Sequence, residues 1–512
     1  MSSTYLLWIA GKKGPGGETP CHAASKEDVD RAVRAAHETF KAGIWSRASR
    51  HHRADVLDKC ADLLSASLPD LIALEVKQTG RAIREMKAQV PSLVKWFKYY
   101  ASLLRVEERP VLPTTGKLHN FIDRVPLGVV IQITPFNHPL LIAVKKLAPA
   151  LAAGNSVILK PSELTPLTSL LLGSILHEAG VPAGVFSVLP GYGAITGKHL
   201  VSHPLVRKVD VTGGTVAGRA IGSIVGANLS KYTAELGGKA PLVVFERADL
   251  DVAVNGIVFG SYIASGQTCI ASTRIIVENS VKDELLRKLK AKVEGITERM
   301  GAPTNPDSSM GPLISEKQLQ NVERLVSDAV QSGNADVLVG GTRMHGLSSL
   351  DGTDFDRGYY FAPSPSGAKR PSGLSLWSLA SIVSARLSNS PMTPHFGLGA
   401  GIWTNDLSQA FRVSDQIDAG IVWVNTHHRN DPSSPWGGAK SASGVGSENG
   451  IDAYHAYTTT KSTIINYASP RSHWHRMIGL VMHRTKSDMV DQLDRITCRY
   501  YTLLLAPVSI LS

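Results

Sequence analysis

The sequence has few of the features that mark membrane proteins, disulfide scaffolds and nucleic-acid-binding proteins. It contains four cysteines in 512 residues, and no pair of them has the spacing of metal ligands. No apolar run approaches the ~18 residues that a spanning helix needs. The net charge is +11, but no basic run with interleaved aromatic residues accompanies it. We therefore expect a globular, cytoplasmic protein with no signal peptide, no bound metal, no nucleic-acid partner and no membrane partner.

Acidic residues are missing from one long segment. From Ser364 to Pro394 the chain has no Asp or Glu, while Ser, Pro, Leu and Arg are frequent. On both sides of this segment, apolar strands alternate with Gly-rich turns and acid-bearing helices, as in an α/β enzyme. The segment therefore differs in composition from the sequence around it.

Hydrophobic periodicity predicts alternating helices and strands. A capped amphipathic helix begins after Ser25, a second helix covers roughly Ala54–Lys77, and a third covers roughly Arg84–Leu104. Further on, the strand "LGVVIQITPF" precedes the helix "LLIAVKKLAPALAAG" and the strand "NSVILKPS". Because this alternation continues with short connections, we predict an α/β protein with a doubly wound parallel sheet.

Two stretches at predicted strand ends have residues suited to a nucleotide. "VTGGTVAG" has Gly213 and Gly218 between a strand and a helix, where a phosphate can approach the backbone. Taken alone, an ordinary βα turn explains this spacing better. "LKPSE" ends another strand with Lys160, Ser162 and Glu163, a lysine and a carboxylate suited to ribose hydroxyls. Taken alone, two solvated surface charges are the better interpretation.

Three further stretches contain candidate catalytic groups. Cys269 in "GQTC" is a potential nucleophile that needs deprotonation to attack. Glu235 in "TAELGGKAP" is a carboxylate among apolar residues, a plausible general base. Asn137 in "TPFNHP" has an amide that can donate to an oxyanion. Individually, a buried inert cysteine, a paired glutamate and a turn-forming asparagine are more common.

Together, these five stretches have the order and spacing of the aldehyde dehydrogenase superfamily, and the sequence resembles that family from about Ala23 to Ala468. Supporting pieces are "RVPLGVV", "MGPLIS", "GYYFAP", "GLGAGIWTND", "AGIVWVN" and "PWGGAK". The resemblance implies a Rossmann-type NAD-binding domain, an α/β catalytic domain and a small β oligomerisation element. The implied boundaries are 1–106 and 127–237 for NAD binding, 238–451 for catalysis, and 107–126 with 452–468 for oligomerisation. It also implies a homodimer or homotetramer.

The resemblance further implies NAD(P)-dependent oxidation of an aldehyde to a free acid. Cys269 would attack the carbonyl, Asn137 and the backbone N–H of Cys269 would hold the oxyanion, and Glu235 would activate the water that hydrolyses the thioester. A carboxylate at Glu163 disfavours a 2′-phosphate, so NAD is the expected cofactor, with NADP still open. The implied cofactor-binding residues are Thr134, Pro135, Lys160, Ser162, Glu163, Gly193, Thr212, Gly213, Gly214, Gly218, Leu236 and Gly237. Four residues are expected to line the aldehyde tunnel: His138, Val144, Thr268 and Ile270.

One family motif, E-E-x-F-G-P-V, is missing after "GYYFAP", and its second glutamate binds the nicotinamide ribose in the family. One coding of Ala368–Ser378, read from the third base, gives Glu-Glu-Ala-Phe-Gly-Pro-Val-Val-Val-Val. A similar shift after Pro470 gives an acidic, aromatic-ended terminus. We therefore interpret 364–394 and 470–512 as aberrant, out-of-frame segments, with real divergence or a sequencing error as the alternatives. A second hypothesis follows: the chain as written is a catalytically impaired dinucleotide-binding protein.

Overall fold

The structure, a computed structural model, describes residues 8–9, 12–13, 23–332, 336–368, 374–379 and 395–468. Its helices, in chain order, are α1 Lys26–Ala42, α2 Arg50–Ala66, α3 Leu68–Thr79, α4 Ile83–Gln89, α5 Val94–Val106, α6 Pro139–Ala152, α7 Leu167–Glu178, α8 Lys198–Ser202, α9 Thr215–Ala227, α10 Leu250–Tyr262, α11 Lys282–Thr297, α12 Glu316–Gln331, α13 Leu407–Gln416 and α14 Gly450–Ala456.

The strands, in chain order, are β1 Trp8–Ile9, β2 Lys12–Lys13, β3 Val111–Leu112, β4 Leu118–Pro126, β5 Val129–Ile133, β6 Ser156–Lys160, β7 Phe186–Val188, β8 Val206–Thr212, β9 Lys231–Glu235, β10 Pro241–Val244, β11 Arg274–Glu278, β12 Asp336–Val337, β13 Pro365–Ala368, β14 Leu374–Leu379, β15 Gly399–Trp403, β16 Ile421–Val424, β17 Gly444–Val445 and β18 Thr458–Asn466. The predicted α/β class is confirmed.

Local sequence explains where the first helices begin and end. Ser25 caps α1 in a capping box with Asp28, and Gly43 ends the helix in a left-handed conformation. The single helix predicted over Ala54–Lys77 is wrong, because α2 ends at Ala66 with Ser67 as its C-cap, and Pro69 lies in the first turn of α3. The helix predicted over Arg84–Leu104 is likewise interrupted by a 3₁₀ turn, Val90–Leu93, that contains Pro91.

An eight-stranded sheet has the order β17-β9-β8-β5-β6-β7-β1-β2. Its central strands β9, β8, β5, β6 and β7 are parallel neighbours, as the strand–helix alternation predicts. Helix α6 crosses from β5 to β6, and every one of its residues is buried. The largest apolar core packs α2, α5, α6 and α7 together and includes Trp45, Trp96, Phe97 and Tyr100. The carboxyl ends of the parallel strands therefore meet at one edge over a rigid, fully packed support.

A seven-stranded sheet has the order β12-β13-β14-β11-β10-β15-β16. Its strands β11, β10, β15 and β16 are parallel neighbours, and β14 pairs antiparallel with β11. A second apolar core, including Leu289, Phe355 and Trp403, packs helices α10 and α11 against this sheet. Both sheets belong to one compact unit, residues 1–107 and 124–459.

A second compact unit comprises 108–123 and the chain from 460 onward. Its described part is built on the three-stranded sheet β18-β4-β3, whose β3 and β4 pair antiparallel. The domain boundaries expected from the sequence remain predictions. Of the segment 364–394, which is predicted to be aberrant, the structure describes only Ser364 and the strands β13 and β14. The second segment predicted to be aberrant, 470–512, lies outside the described residues.

Candidate functional site

The strand ends of the eight-stranded sheet open onto a cavity of about 870 Å³. Ile133, Lys160, Thr212 and Glu235 are the last residues of four neighbouring parallel strands, β5, β6, β8 and β9, and all four line this cavity. The crevice beyond the carboxyl ends of parallel strands is where open α/β sheets bind ligands. The fold therefore brings together residues that are far apart in the sequence.

Nearly all of the predicted site residues lie on the wall of this cavity. These are Thr134, Pro135, Asn137, Lys160, Ser162, Glu163, Gly193, Thr212, Gly213, Gly214, Glu235, Leu236, Gly237 and Cys269. Gly218 is not among the wall residues, because it lies inside α9, where a Cβ atom would come within 2.4 Å of Leu236. Its lack of a side chain allows α9 to pack closely against the loop after β9.

Cys269 lies on a loop whose backbone conformation is fixed by its neighbours. Just before it, Ala264 and Ser265 have φ angles of 53° and 55°, a left-handed conformation that costs non-glycine residues about 1–2 kcal/mol each. The Ser265 hydroxyl offsets this cost by donating to the carbonyl of Gly311 at 2.8 Å. On the other side, a Cβ atom on Gly238 would come within 2.3 Å of the Cys269 carbonyl oxygen. The loop therefore holds the thiol at the cavity in a single backbone path.

Asn137 is oriented toward the same loop. Its Oδ1 accepts a hydrogen bond from the backbone N–H of His138 at 2.9 Å, which fixes which way the amide points. Its Nδ2 donates to the Gln267 carbonyl at 2.6 Å. Because an amide nitrogen has two hydrogens, the second one remains to be donated to an oxygen beside Cys269.

Glu235 and Cys269 perturb each other's ionisation. The Glu235 carboxyl is buried and has no hydrogen-bond donor of ordinary geometry within the described part of the chain. Burial and the nearby Glu448 carboxylate raise the pKa of Glu235 to about 7. Burial and the Glu235 carboxylate together raise the pKa of the Cys269 thiol well above its usual range. The pair is thus a protonated thiol beside a carboxyl group poised to exchange a proton near neutral pH.

A buried charge network adjoins this pair. Glu448 forms an ion pair with Lys145 at 2.7 Å and another with Lys146, and Lys146 also pairs with Asp210. These lysines lower the pKa of Glu448 to about 2, although burial alone would raise it. The sequence analysis missed this network. The signal was available, because two adjacent lysines inside the apolar helix "LLIAVKKLAPALAAG" require buried acidic partners.

The opposite end of the cavity is lined by glycines and by the start of α9. An added Cβ at Gly193 or Gly214 would meet no atom within 4 Å, so the backbone there is open to a ligand. Gly214 is the N-cap of α9, a 13-residue helix whose free N–H groups favour an anion. The Lys160 ammonium lies 3.7 Å from the Glu163 carboxylate at the rim. This geometry suits an anionic group at the helix and hydroxyl groups at the rim.

The residues expected to line the aldehyde tunnel divide into two pairs. His138 and Thr268 line the cavity close to Cys269. Val144 and Ile270 are almost fully buried and are not among its wall residues, because they pack in apolar clusters. Over the described ranges, no three His, Cys, Asp or Glu side chains gather as a metal site. Within the same ranges, every helix is too short or too polar to cross a bilayer.

Comparison with known proteins assigns the chain to a family. The family model described as "Aldehyde dehydrogenase family" matches residues 18–364 and 392–463. Phenylacetaldehyde dehydrogenase from Pseudomonas fluorescens is 38% identical over 458 residues, which cover 86% of this chain and 89% of that protein.

Two solved structures agree with this assignment. PnpE from Pseudomonas sp. WBC-3 has 33% identity and a TM-score of 0.81, over 91% of this chain and 98% of PnpE. The NAD⁺ complex of an aldehyde dehydrogenase from Bacillus cereus has 29% identity and a TM-score of 0.83, over 91% of this chain and 97% of that one. From the family match and these similarities, together with the fold, we conclude that the chain belongs to the aldehyde dehydrogenase family of oxidoreductases.

Proposed function

We propose that the protein oxidises an aldehyde to a carboxylic acid, with NAD as the hydride acceptor and Cys269 as the nucleophile. The observation that carries this proposal is the convergence of the Cys269 thiol, the Glu235 carboxyl and the Asn137 amide on one cavity wall. A nucleophile, a base and an oxyanion donor are the three groups that addition to a carbonyl requires.

The first step is the formation of a thiohemiacetal on Cys269. Glu235 accepts the thiol proton, and the thiolate adds to the aldehyde carbon. The carbonyl oxygen then becomes an oxyanion, which accepts hydrogen bonds from Asn137 Nδ2 and from the backbone N–H of Cys269. Because the pKa of Glu235 is raised to about 7, the carboxylate is a stronger base than an exposed glutamate and is still ionised in part at neutral pH.

The cavity fits a nicotinamide dinucleotide. The open backbone at Gly193, Gly213 and Gly214 and the start of α9 suit a pyrophosphate, and Lys160 with Glu163 suits a ribose diol. Bound NAD would accept a hydride from the thiohemiacetal carbon, which leaves a thioester on Cys269. Two similar structures, PnpE and the Bacillus cereus enzyme, are complexes with NAD, and this supports NAD here.

The second step releases the acid. Glu235 first releases the thiol proton to solvent. It then takes a proton from a water molecule, and the water attacks the thioester carbon, so that the acid leaves and the Cys269 thiolate re-forms. Lys145 and Lys146 lower the pKa of Glu235 by their charge and oppose the effect of burial. Within this network Glu448 acts in the opposite direction and raises the pKa of Glu235, so only the two lysines favour the ionised base.

The direct test is the appearance of NADH with a panel of aldehydes, starting with phenylacetaldehyde, the substrate named for one relative. The proposal is supported if this chain produces NADH from an aldehyde and the Cys269→Ala variant does not. NADH production that persists in Cys269→Ala would contradict it. Hydrolysis of 4-nitrophenyl acetate is a second readout, since it needs the thiol and the base but no hydride acceptor.

A second candidate function is that of an impaired, dinucleotide-binding family member. The acid-free sequence from Ser364 to Pro394 favours it, and so does the interruption of the family match between residues 364 and 392. In this case the nicotinamide ribose lacks its carboxylate partner, and a misplacement of about 1 Å costs on the order of 10²-fold in rate.

The two candidates are separated by expressing this chain beside a variant with Glu-Glu-Ala-Phe-Gly-Pro restored in the corrected frame. If the chain is impaired, it binds NAD and hydrolyses the ester, but it produces NADH at least about 10²-fold more slowly than the corrected variant. Equal rates of NADH production would rule out impairment.

We also propose that the protein is a cytoplasmic homodimer or homotetramer. In the second compact unit, Ile464 and Ile465 on β18 and Tyr467 directly after the strand are largely exposed. Such a strand suits an interface with a second copy. We likewise propose the division into NAD-binding domain, catalytic domain and oligomerisation element that is expected from the sequence. Light scattering after size-exclusion chromatography gives the oligomeric state.

A further inference from the structure

His138 is a histidine in the cavity wall with one ring nitrogen unused. It directly follows Asn137, lines the cavity with Cys269 and is only 4% exposed. Its Nε2 atom has no hydrogen-bond partner among the residues that the structure describes. A buried polar atom without a partner in a ligand cavity is a candidate contact for the ligand.

The other ring nitrogen of His138 is held by donors. Nδ1 lies 2.7 Å from Nη1 of Arg81 and 3.2 Å from the carboxamide nitrogen of Gln89. A guanidinium has no acceptor, so Nδ1 must accept the hydrogen bond from Arg81. The proton of the neutral ring is therefore on Nε2, the atom without a partner.

Arg81 itself is fixed. Its guanidinium is buried, forms an ion pair with Glu85 at 2.9 Å and donates to the side chain of Gln89 at 2.9 Å. Burial is the main cause that holds the pKa of His138 well below its usual range, and the nearby Arg81, His428 and Lys145 act in the same direction. The ring is thus a neutral Nε2–H donor in a fixed orientation.

His428 packs beside His138 but is not itself among the residues that line the cavity. Its ring centroid lies 5.6 Å from that of His138, and its Nε2 also lacks a partner in the described residues. Burial lowers the pKa of His428 to about 3, so this ring is neutral too. An entirely apolar aldehyde would leave Nε2 of His138, the ring that lines the cavity, without a partner.

We propose that His138 is a specificity-determining residue that donates a hydrogen bond to an oxygen atom on the aldehyde other than the carbonyl oxygen. The preferred substrate class is an aldehyde with a second oxygen function, a hydroxyl or a carboxylate, which should bind more tightly than a hydrocarbon aldehyde of similar shape. This inference rests on the proposed function, since it assumes that the aldehyde adds to Cys269.

The test measures aldehyde binding without hydride transfer. Addition of an aldehyde to the Cys269 thiol blocks its alkylation by iodoacetamide, so protection against alkylation reports the affinity of the aldehyde. Matched pairs differ in one group: 3-hydroxybenzaldehyde against 3-methylbenzaldehyde, and succinic semialdehyde against its methyl ester. The first pair tests a hydroxyl group and the second a carboxylate, so the two sources of the oxygen are distinguished. Alkylation is followed at Cys269 by mass spectrometry.

Three variants show whether His138 is responsible. The protein should bind the oxygen-bearing member of at least one pair about 10- to 100-fold more tightly. His138→Phe should abolish this preference. His138→Gln should retain most of it, because the glutamine Nε2 can donate from nearly the same position. The control His345→Phe, at an exposed histidine paired with Asp356, should leave it unchanged.

The outcomes distinguish this inference from the proposed function. Protection by all aldehydes with no preference in either pair, as expected if a trapped water satisfies His138, would overturn the inference and leave the proposed function standing. A preference that survives in His138→Phe would also overturn it. No protection by any aldehyde would overturn both.

Discussion

Two buried glutamates of this protein have opposite electrostatic surroundings. Glu448 pairs with Lys145 and Lys146, and its pKa is lowered to about 2. Glu235 has no such partner, and its pKa is raised to about 7. Both side chains are almost fully buried, 4% and 2% exposed, so burial alone does not explain the difference. The neighbouring charges determine it.

The comparison shows how one residue type serves two purposes, in the wall of the cavity at Glu235 and in the adjoining charge network at Glu448. A buried carboxylate with two cations stays ionised and fixes the structure, whereas one without a cation holds its proton more tightly and can exchange it near neutral pH. The two also interact, since the charge of Glu448 raises the pKa of Glu235. The structural anion thus tunes the reactive one.

The largest expected effect follows from removing the thiol that Glu235 faces. Cys269→Ala should lower the hydrolysis of 4-nitrophenyl acetate by more than about 10⁴-fold, because the nucleophile is lost. NAD binding, measured by calorimetry, should be unchanged. The control is Cys60→Ala, which removes a buried thiol in α2 away from the cavity wall and should retain activity. Equal esterase rates for the two variants would rule out Cys269 as the nucleophile.

Glu235→Gln removes the reactive member of the pair. We expect the steady-state ester hydrolysis to slow by about 10²- to 10⁴-fold, because a neutral amide cannot accept a proton from the thiol or from water. Stability should change little, since the carboxyl group has no cation to leave unpaired. An unchanged rate would count against Glu235 as the base.

Glu448→Gln should mainly lower the stability of the protein, whereas Glu235→Gln should mainly lower its activity. Loss of the anion leaves Lys145 and Lys146 short of negative charge in a buried site, which costs about 3–5 kcal/mol in the free energy of unfolding. Urea denaturation followed by circular dichroism measures the change. If Glu448→Gln were as stable as Glu235→Gln, the distinction between the two glutamates would be wrong.

The pH dependence sharpens the comparison without mutation. Ester hydrolysis should fall by up to about tenfold per pH unit below pH 7, because protonation of Glu235 removes the base. For stability the signs are opposite. The folded pKa of Glu235 is raised, so its contribution decreases as the pH rises from about 4.5 to 7. The folded pKa of Glu448 is depressed, so its contribution is lost as the pH falls from about 4.5 to 2.

The activity part of this prediction is checked by a pH–rate profile of Glu235→Gln, which should lack the acidic limb near pH 7. A limb that is unchanged in this variant would assign the titration to another group.

A third glutamate provides the smallest effect. Glu163 is about half exposed at the rim of the cavity, where solvent screens its charge. In Glu163→Gln, the affinity for NADP relative to NAD should rise by about tenfold or less, because repulsion of the 2′-phosphate is removed. Fluorescence titration with both dinucleotides measures the ratio, with Glu178→Gln at the end of α7 as the control. No change in the ratio would remove Glu163 from the choice of cofactor.

The sequence by itself determined the fold class and the family. Capping at Ser25, the buried strands before Thr134 and Pro161, and the glycine-rich turn after Thr212 are local signals, and each corresponds to an element end in the structure. The order of the motifs around Asn137, Glu235 and Cys269 identified the family, and the comparisons confirmed it. The breaks near Ser67 and Pro91 were missed because apolar periodicity continues across them.

Only the tertiary structure decided how the site residues interact. Lys146 and Glu448 are 302 positions apart, and Arg81 and His138 are 57 apart, so no local pattern links either pair. Ionisation and tautomer depend on burial and on charges a few ångströms away, and folding alone brings those charges together. The sequence therefore predicted which residues are candidates, whereas burial and the charge of Glu448 set the pKa of Glu235, and the hydrogen bond from Arg81 left Nε2 of His138 as a donor.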